Sequence, residues 1–327
     1  MYDQDLQEWF GPTRPIGDWP AEKVASYLRE VGDDALSDEL IALQSRGQAV
    51  TFGAREVIGS MFNRFMATTN VCGFLPAQGT DRLVPVTKAT PDDTLVGQPL
   101  RVTFDSLHVA KYPGKGTHSL LFDFALQSQS GQGQSAQAPP GVTGAAPVFH
   151  YNAKFHAGDG ETAPIHDFPL FHGFAPAADG IVFGFDIVNL ESSFNKGLLD
   201  FLDGDEFKLG LSLLNFSPVL GQISQMCAGL ARWLAGQSSN APVQAFRQGL
   251  GFAPSPLAGG LAEGYYAIAQ IPVDYQREWN WDDWRIDPVL QCLVQRDGSA
   301  TVLDFNHFIF GLHRMSGISH NRRPAEL

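Results

Sequence analysis

The sequence predicts a mainly β protein with helices (α+β), an antiparallel β-sandwich preceded by a small helical N-terminal module. Three observations carry this. Apolar residues keep helical spacing before residue 70 and in later inserts, whereas beyond residue 100 they mostly form short alternating runs bounded by glycine and proline. The regular strand–helix alternation of a doubly wound fold is missing, as are its glycine fingerprints. With 327 residues, 44% of them hydrophobic and 17% charged, the chain has ordinary globular composition and room for one large β domain with an appendage.

The helical module is expected over 1–70. Trp19-Pro20 leads into a helix with Val24, Tyr27, Leu28 and Val31 on one face, Pro20 at its first position and Asp18 as a cap. Gly32 breaks it, and Leu36, Leu40, Ile41 and Leu43 mark a second helix. Val57, Ile58, Met61, Phe62, Phe65 and Met66 mark a third. Residues 71–99, rich in glycine and proline and without a period, read as a connector.

The sandwich is assigned to 100–327, with inserted helices. A strand over 100–112 meets turn chemistry at Pro113-Gly114-Lys115-Gly116, and the next strand puts Leu120, Phe122, Phe124 and Leu126 on one face. Residues 127–146 are low in complexity and read as a flexible loop. Phe149, Tyr151, Ala153 and Phe155 form one face of a strand whose other face is His150, Asn152, Lys154 and His156. The run from Asp179 to Leu214 predicts a buried strand over 181–190, a short helix and an acidic turn. A longer helix follows Ser217-Pro218, then a strand over 264–273 and a closing hairpin about Asp297-Gly298.

Twenty-two basic against 35 acidic residues give a net charge of −13, which repels phosphate backbones and disfavours nucleic acid as a partner. Cys72, Cys227 and Cys292 form no CxxC pair and suit a reducing compartment. The acidic start lacks the features of a signal peptide, and no apolar run approaches the ~20 residues of a spanning helix, so a cytoplasmic location is expected.

Three clusters are candidates for chemistry. Asp200, Asp203, Asp205 and Glu206 supply hard oxygens of the kind Ca²⁺ takes, although without EF-hand spacing; solvated helix-end residues are the plainer reading. Trp279, Trp281 and Trp284, interleaved with carboxylates, could form an aromatic binding ridge or simply cover the sandwich. The polar set His150, His156, His166, Asp167 and His172 contains residue types that serve as metal ligands or acid–base groups. His150 and His156 lie six apart on a strand, about 20 Å, too far for one ion. Nucleophile elbows and zinc-protease motifs are absent from the sequence.

Several phrases, His118–Phe124, Pro169–Phe174, the 179–190 strand, Phe201–Phe207, Pro242–Phe246 and Leu261–Ala267, together resemble a group of bacterial proteins without an assigned activity. The likeness spans about 100–275 and implies one continuous domain with no catalytic residue to carry over. A sandwich with acidic loops resembles a C2 domain, though its usual Asp-Pro-Tyr signature is missing, and the tryptophan–helix–glycine–helix start resembles part of a sterile-alpha-motif domain. The expected function is therefore non-enzymatic binding: the helices recruit a protein partner, and the sandwich loops recognise an ion such as Ca²⁺, a ligand or a surface, peripheral membrane included. The alternatives are a hydrolase built around His166, Asp167 and His172, and a structural or assembly subunit.

Overall fold

A computed structural model of the protein describes residues 16, 19–45, 68–78, 81–114, 116–129, 148–163, 165–190, 241–253 and 258–315. The expected third helix, the long helix after Pro218, most of the 127–146 loop and the acidic run Asp200–Glu206 lie outside them.

The two N-terminal helices are α1 (Ala21–Glu30) and α2 (Asp34–Ser45). Pro20 stands at the N-cap of α1, one position earlier than expected, and its carbonyl accepts from Lys23 and Val24. Gly32, at φ +77°, takes the left-handed conformation that ends the helix. Val24, Tyr27 and Leu28 pack with Leu36, Leu40 and Trp19 into a small core of their own, and the Ser37 hydroxyl donates to the Ala25 carbonyl across the pair.

Among the described residues, fourteen strands follow. The larger sheet has seven strands. In spatial order these are β2 (Val84–Pro85), β1 (Thr68–Pro76), β11 (Gly264–Pro272), β14 (His307–Arg314) and β3 (Leu100–Val109). Both β6 (Glu161–Thr162) and β7 (Phe168–Phe174) then pair with β3. The facing sheet has five: β10 (Gly259–Gly260), β9 (Ala241–Gly251), β8 (Ile181–Leu190), β4 (Thr117–Ser128) and β5 (Val148–Gly158). Among the described strands every pairing is antiparallel except β10 with β9. Phenylalanines fill the space between the sheets. Phe104 stacks on Phe122 at 4.4 Å, and Phe185 meets Phe308 edge-on at 4.3 Å.

Three expectations change. Residues 71–99 are not a bare connector, because β1 within and just before them pairs along its whole length with β11. It shows no alternation because both faces are covered: Cys72 and Phe74 enter the inter-sheet core, while Val71 and Leu75 face a second one. The turn at Pro113-Gly114 does not pair the strands it joins, since β3 and β4 belong to opposite sheets. The chain arches between the sheets there, held by Asp159, which accepts from the Tyr112 amide and His118 and pairs with Lys111. The closing hairpin exists only at its tip, where Val294 bridges Val302. Its first arm, β13 (Cys292–Gln295), pairs with β12 (Trp284–Asp287), while β14 enters the large sheet.

Candidate functional site

The segment 273–306 folds back over one end of the outer face of the seven-stranded sheet. Gly73 pairs with Ala267, and the small side chains leave a trough into which Trp281 sinks; a Cβ on Gly73 would lie 2.7 Å from its indole. Trp281 is buried, while Trp279 and Trp284 are half-buried and stack at 5.7 Å. His307 ties this cover to the sheet. Its Nδ1–H donates to the Phe305 carbonyl, and Nε2 accepts from the Leu293 amide. The paired His108 ring stacks on it at 4.7 Å. Burial holds both imidazoles below their ordinary range, His108 at about 4 and His307 at about 3, so both are neutral at pH 7.

The other end of the same face carries the polar cluster that is the candidate site. Period two puts Arg101 and Thr103 on the outer side of β3, opposite the core residues Leu100, Val102 and Phe104. Between Phe104 and Ser106 the register with β14 slips, and the extra residue of this bulge is Asp105. Gly311 is the point of convergence. A Cβ built there would meet His313 Nε2 and Thr103 Oγ1 at 2.5 Å and Asp105 Oδ2 at 3.0 Å, so only glycine admits all three. The Thr103 hydroxyl donates to Asp105 at 2.8 Å. His313 lies edge-on to Tyr265 at 5.0 Å.

The expected His166, Asp167 and His172 reach this cluster from β7 and the loop before it. Arg101 donates to the Asp167 carbonyl at 3.0 Å and pairs with its carboxylate at 2.6 Å, and His172 stands opposite Arg101 in the β3–β7 register. Asp167 itself sits at φ +49°, an unusual conformation for a residue with a side chain. Burial raises the Asp105 pKa above the usual carboxylate range. The Thr103 hydrogen bond and the charges of His313 and His166 oppose that rise, and the charge of Asp167 adds to it. Tyr265 is raised too, chiefly by burial and then by the charges of Asp105 and Asp167.

The remaining two histidines are elsewhere, on the outer face of the five-stranded sheet. His156 meets Ser119 at 3.3 Å. His150 is buried against Asp123 at 3.1 Å. Asp186 follows Asp123 across the strands, with Arg247 folded over Gly184 and paired to it. Beside them Asn152 is buried with neither amide atom hydrogen-bonded. Sequence reasoning thus grouped five residues that the fold divides between two faces. It passed over Arg101, Thr103, Asp105, Tyr265 and His313, although the polar positions alternating through the run from Leu100 were a usable signal. Among the described residues no group of three histidines, cysteines or carboxylates could hold a metal ion. No described helix is long and apolar enough to cross a membrane.

No family model, curated protein or solved structure matches the chain. Function must therefore be argued from the residues.

Proposed function

We propose that the protein works by binding, and that the cluster around Asp105 contacts a basic, donor-rich group on its target, such as a lysine or arginine side chain of a protein partner. The supporting observation is Asp105 itself. It is a half-buried carboxylate with a single hydrogen bond among the described residues, from Thr103, whereas an ionised carboxylate can accept about four. A desolvated carboxylate with spare lone pairs gains most from a cationic donor. Tyr265 supplies an aromatic wall for such a cation, and the net charge of −13 draws cations toward the surface. Hydrolysis around His166, Asp167 and His172 is the weaker reading. The aliphatic hydroxyl in the cluster, on Thr103, is fully buried and already engaged by Asp105, and the burial-raised phenol of Tyr265 is a poor nucleophile.

An array of basic, neutral and acidic peptides tests this. The protein should retain basic peptides preferentially, and Asp105→Asn should cut that retention about tenfold. Equal retention of acidic and basic peptides, or an unchanged variant, defeats the proposal. The C2-like reading, with Ca²⁺ on Asp200, Asp203, Asp205 and Glu206, is separate and rests on that acidic run alone. It requires a Ca²⁺-specific rise in Tm that the Asp203→Asn/Asp205→Asn variant loses.

A further inference from the structure

We infer that a second site, a cleft at the Pro76 end of β1, binds a small carboxylate with an apolar body. The cleft, open to solvent, has a volume of about 480 Å³, within the ~300–1,000 Å³ usual for small-molecule sites. Phe74, Ala89 and Ala262 are buried and form an apolar floor. That floor is rigid. The Phe74 ring packs on Tyr266 at 4.9 Å, and the Tyr266 hydroxyl accepts from the Ala262 amide and donates to the Ala262 carbonyl.

The polar lining sorts into two kinds. Asp92 and Glu263 are already engaged: Arg314 donates to Asp92 at 2.6 Å and to Glu263 at 3.2 Å, and Thr94 also donates to Asp92. A cationic ligand would have to compete with that guanidinium. Gln78, Lys88 and Thr90 line the same cleft and have no hydrogen bond or ion pair among the described residues. All three can donate, and Lys88 adds a positive charge. Solvent-exposed donors without a described protein partner, set beside a fixed apolar floor, are the complement of an anion with a hydrocarbon body, and a carboxylate accepts from several donors at once. This site shares no residue with the Asp105 cluster, so either can fail without the other.

The probes are phenylacetate, neutral phenylacetamide and cationic phenethylamine, which present similar apolar bodies with three different charges. Calorimetric titration should rank them in that order of decreasing affinity. Lys88→Met keeps the aliphatic stem at an exposed position, so the variant folds. It should weaken phenylacetate about fivefold and leave phenylacetamide unchanged. Phenylacetamide binding as tightly as phenylacetate, a phenylacetate affinity indifferent to Lys88→Met, or no binding of phenylacetate would overturn the assignment.

Discussion

Acid should loosen this protein through two stacked histidines before most of its carboxylates titrate. His307 uses both ring nitrogens, one donating to Phe305 and one accepting from the Leu293 amide, so a second proton has no acceptor and breaks the tie to β13. The folded pKa values, about 4 for His108 and about 3 for His307, lie below the ordinary 6.5. Between those values the unfolded chain binds more protons than the folded one. The stabilisation is therefore complete above the ordinary value and is lost as pH falls. Each group contributes at most about 1.4 kcal/mol per pH unit in that window. Two of them acting from about pH 6.5 to about pH 5 give a ceiling of about 4 kcal/mol. Urea unfolding followed by tryptophan fluorescence across that range measures it. His307→Gln should be less stable at neutral pH, by about 1–3 kcal/mol for its two hydrogen bonds, but with a shallower pH slope. With His108→Gln added, the slope should nearly vanish. A wild-type free energy that stays flat over the window, or a double variant as steep as wild type, would refute this account.

Three further outcomes follow from packing and charge. Gly73→Ala should cost about 1–3 kcal/mol in denaturant unfolding, because its methyl must displace the indole of Trp281. Asn306→Ala should cost about 2–4 kcal/mol. Asn306 Oδ1 accepts from the Ala110 and Lys111 amides, and its Nδ2 donates to the Lys111 carbonyl and Gln270, so removal leaves several buried groups unpaired. Asp105→Asn should raise Tm at neutral pH by roughly one or two degrees while weakening binding. A carboxyl whose folded pKa is raised stabilises below its unfolded pKa and loses that contribution as pH rises through the folded value. A lower Tm for Asp105→Asn would show that the carboxylate is structural.

The faces of the strands were legible in the sequence; their partners were not. Leu120, Phe122, Phe124 and Leu126 point into the core as alternation requires, and the continuous apolar run over 181–190 is a strand covered on both sides. Nothing local, however, told the chain at Pro113-Gly114 to cross between sheets. The groups that fix the arch, Asp159 and Asn306, come from 47 and 195 residues away. The same separation hid the site. Arg101, Thr103 and Asp105 could be read as one outward row, but the bulge that projects Asp105 depends on pairing with β14. Gly311, His313 and Tyr265 join it only through that pairing and the one between β14 and β11.

The place of β14 has a consequence for synthesis. It is late in the chain, yet it lies inside the large sheet, between β11 and β3. While the chain emerges, the five described strands of the smaller sheet are all present once β10 is made, whereas β3 and β11 each present an unpaired edge until β14 arrives. Long-range closure of this kind slows folding, and open edges recruit other chains. Nascent chains stalled before His307 should therefore be the aggregation-prone species. A ribosome pausing in the 273–306 segment would prolong that vulnerable interval.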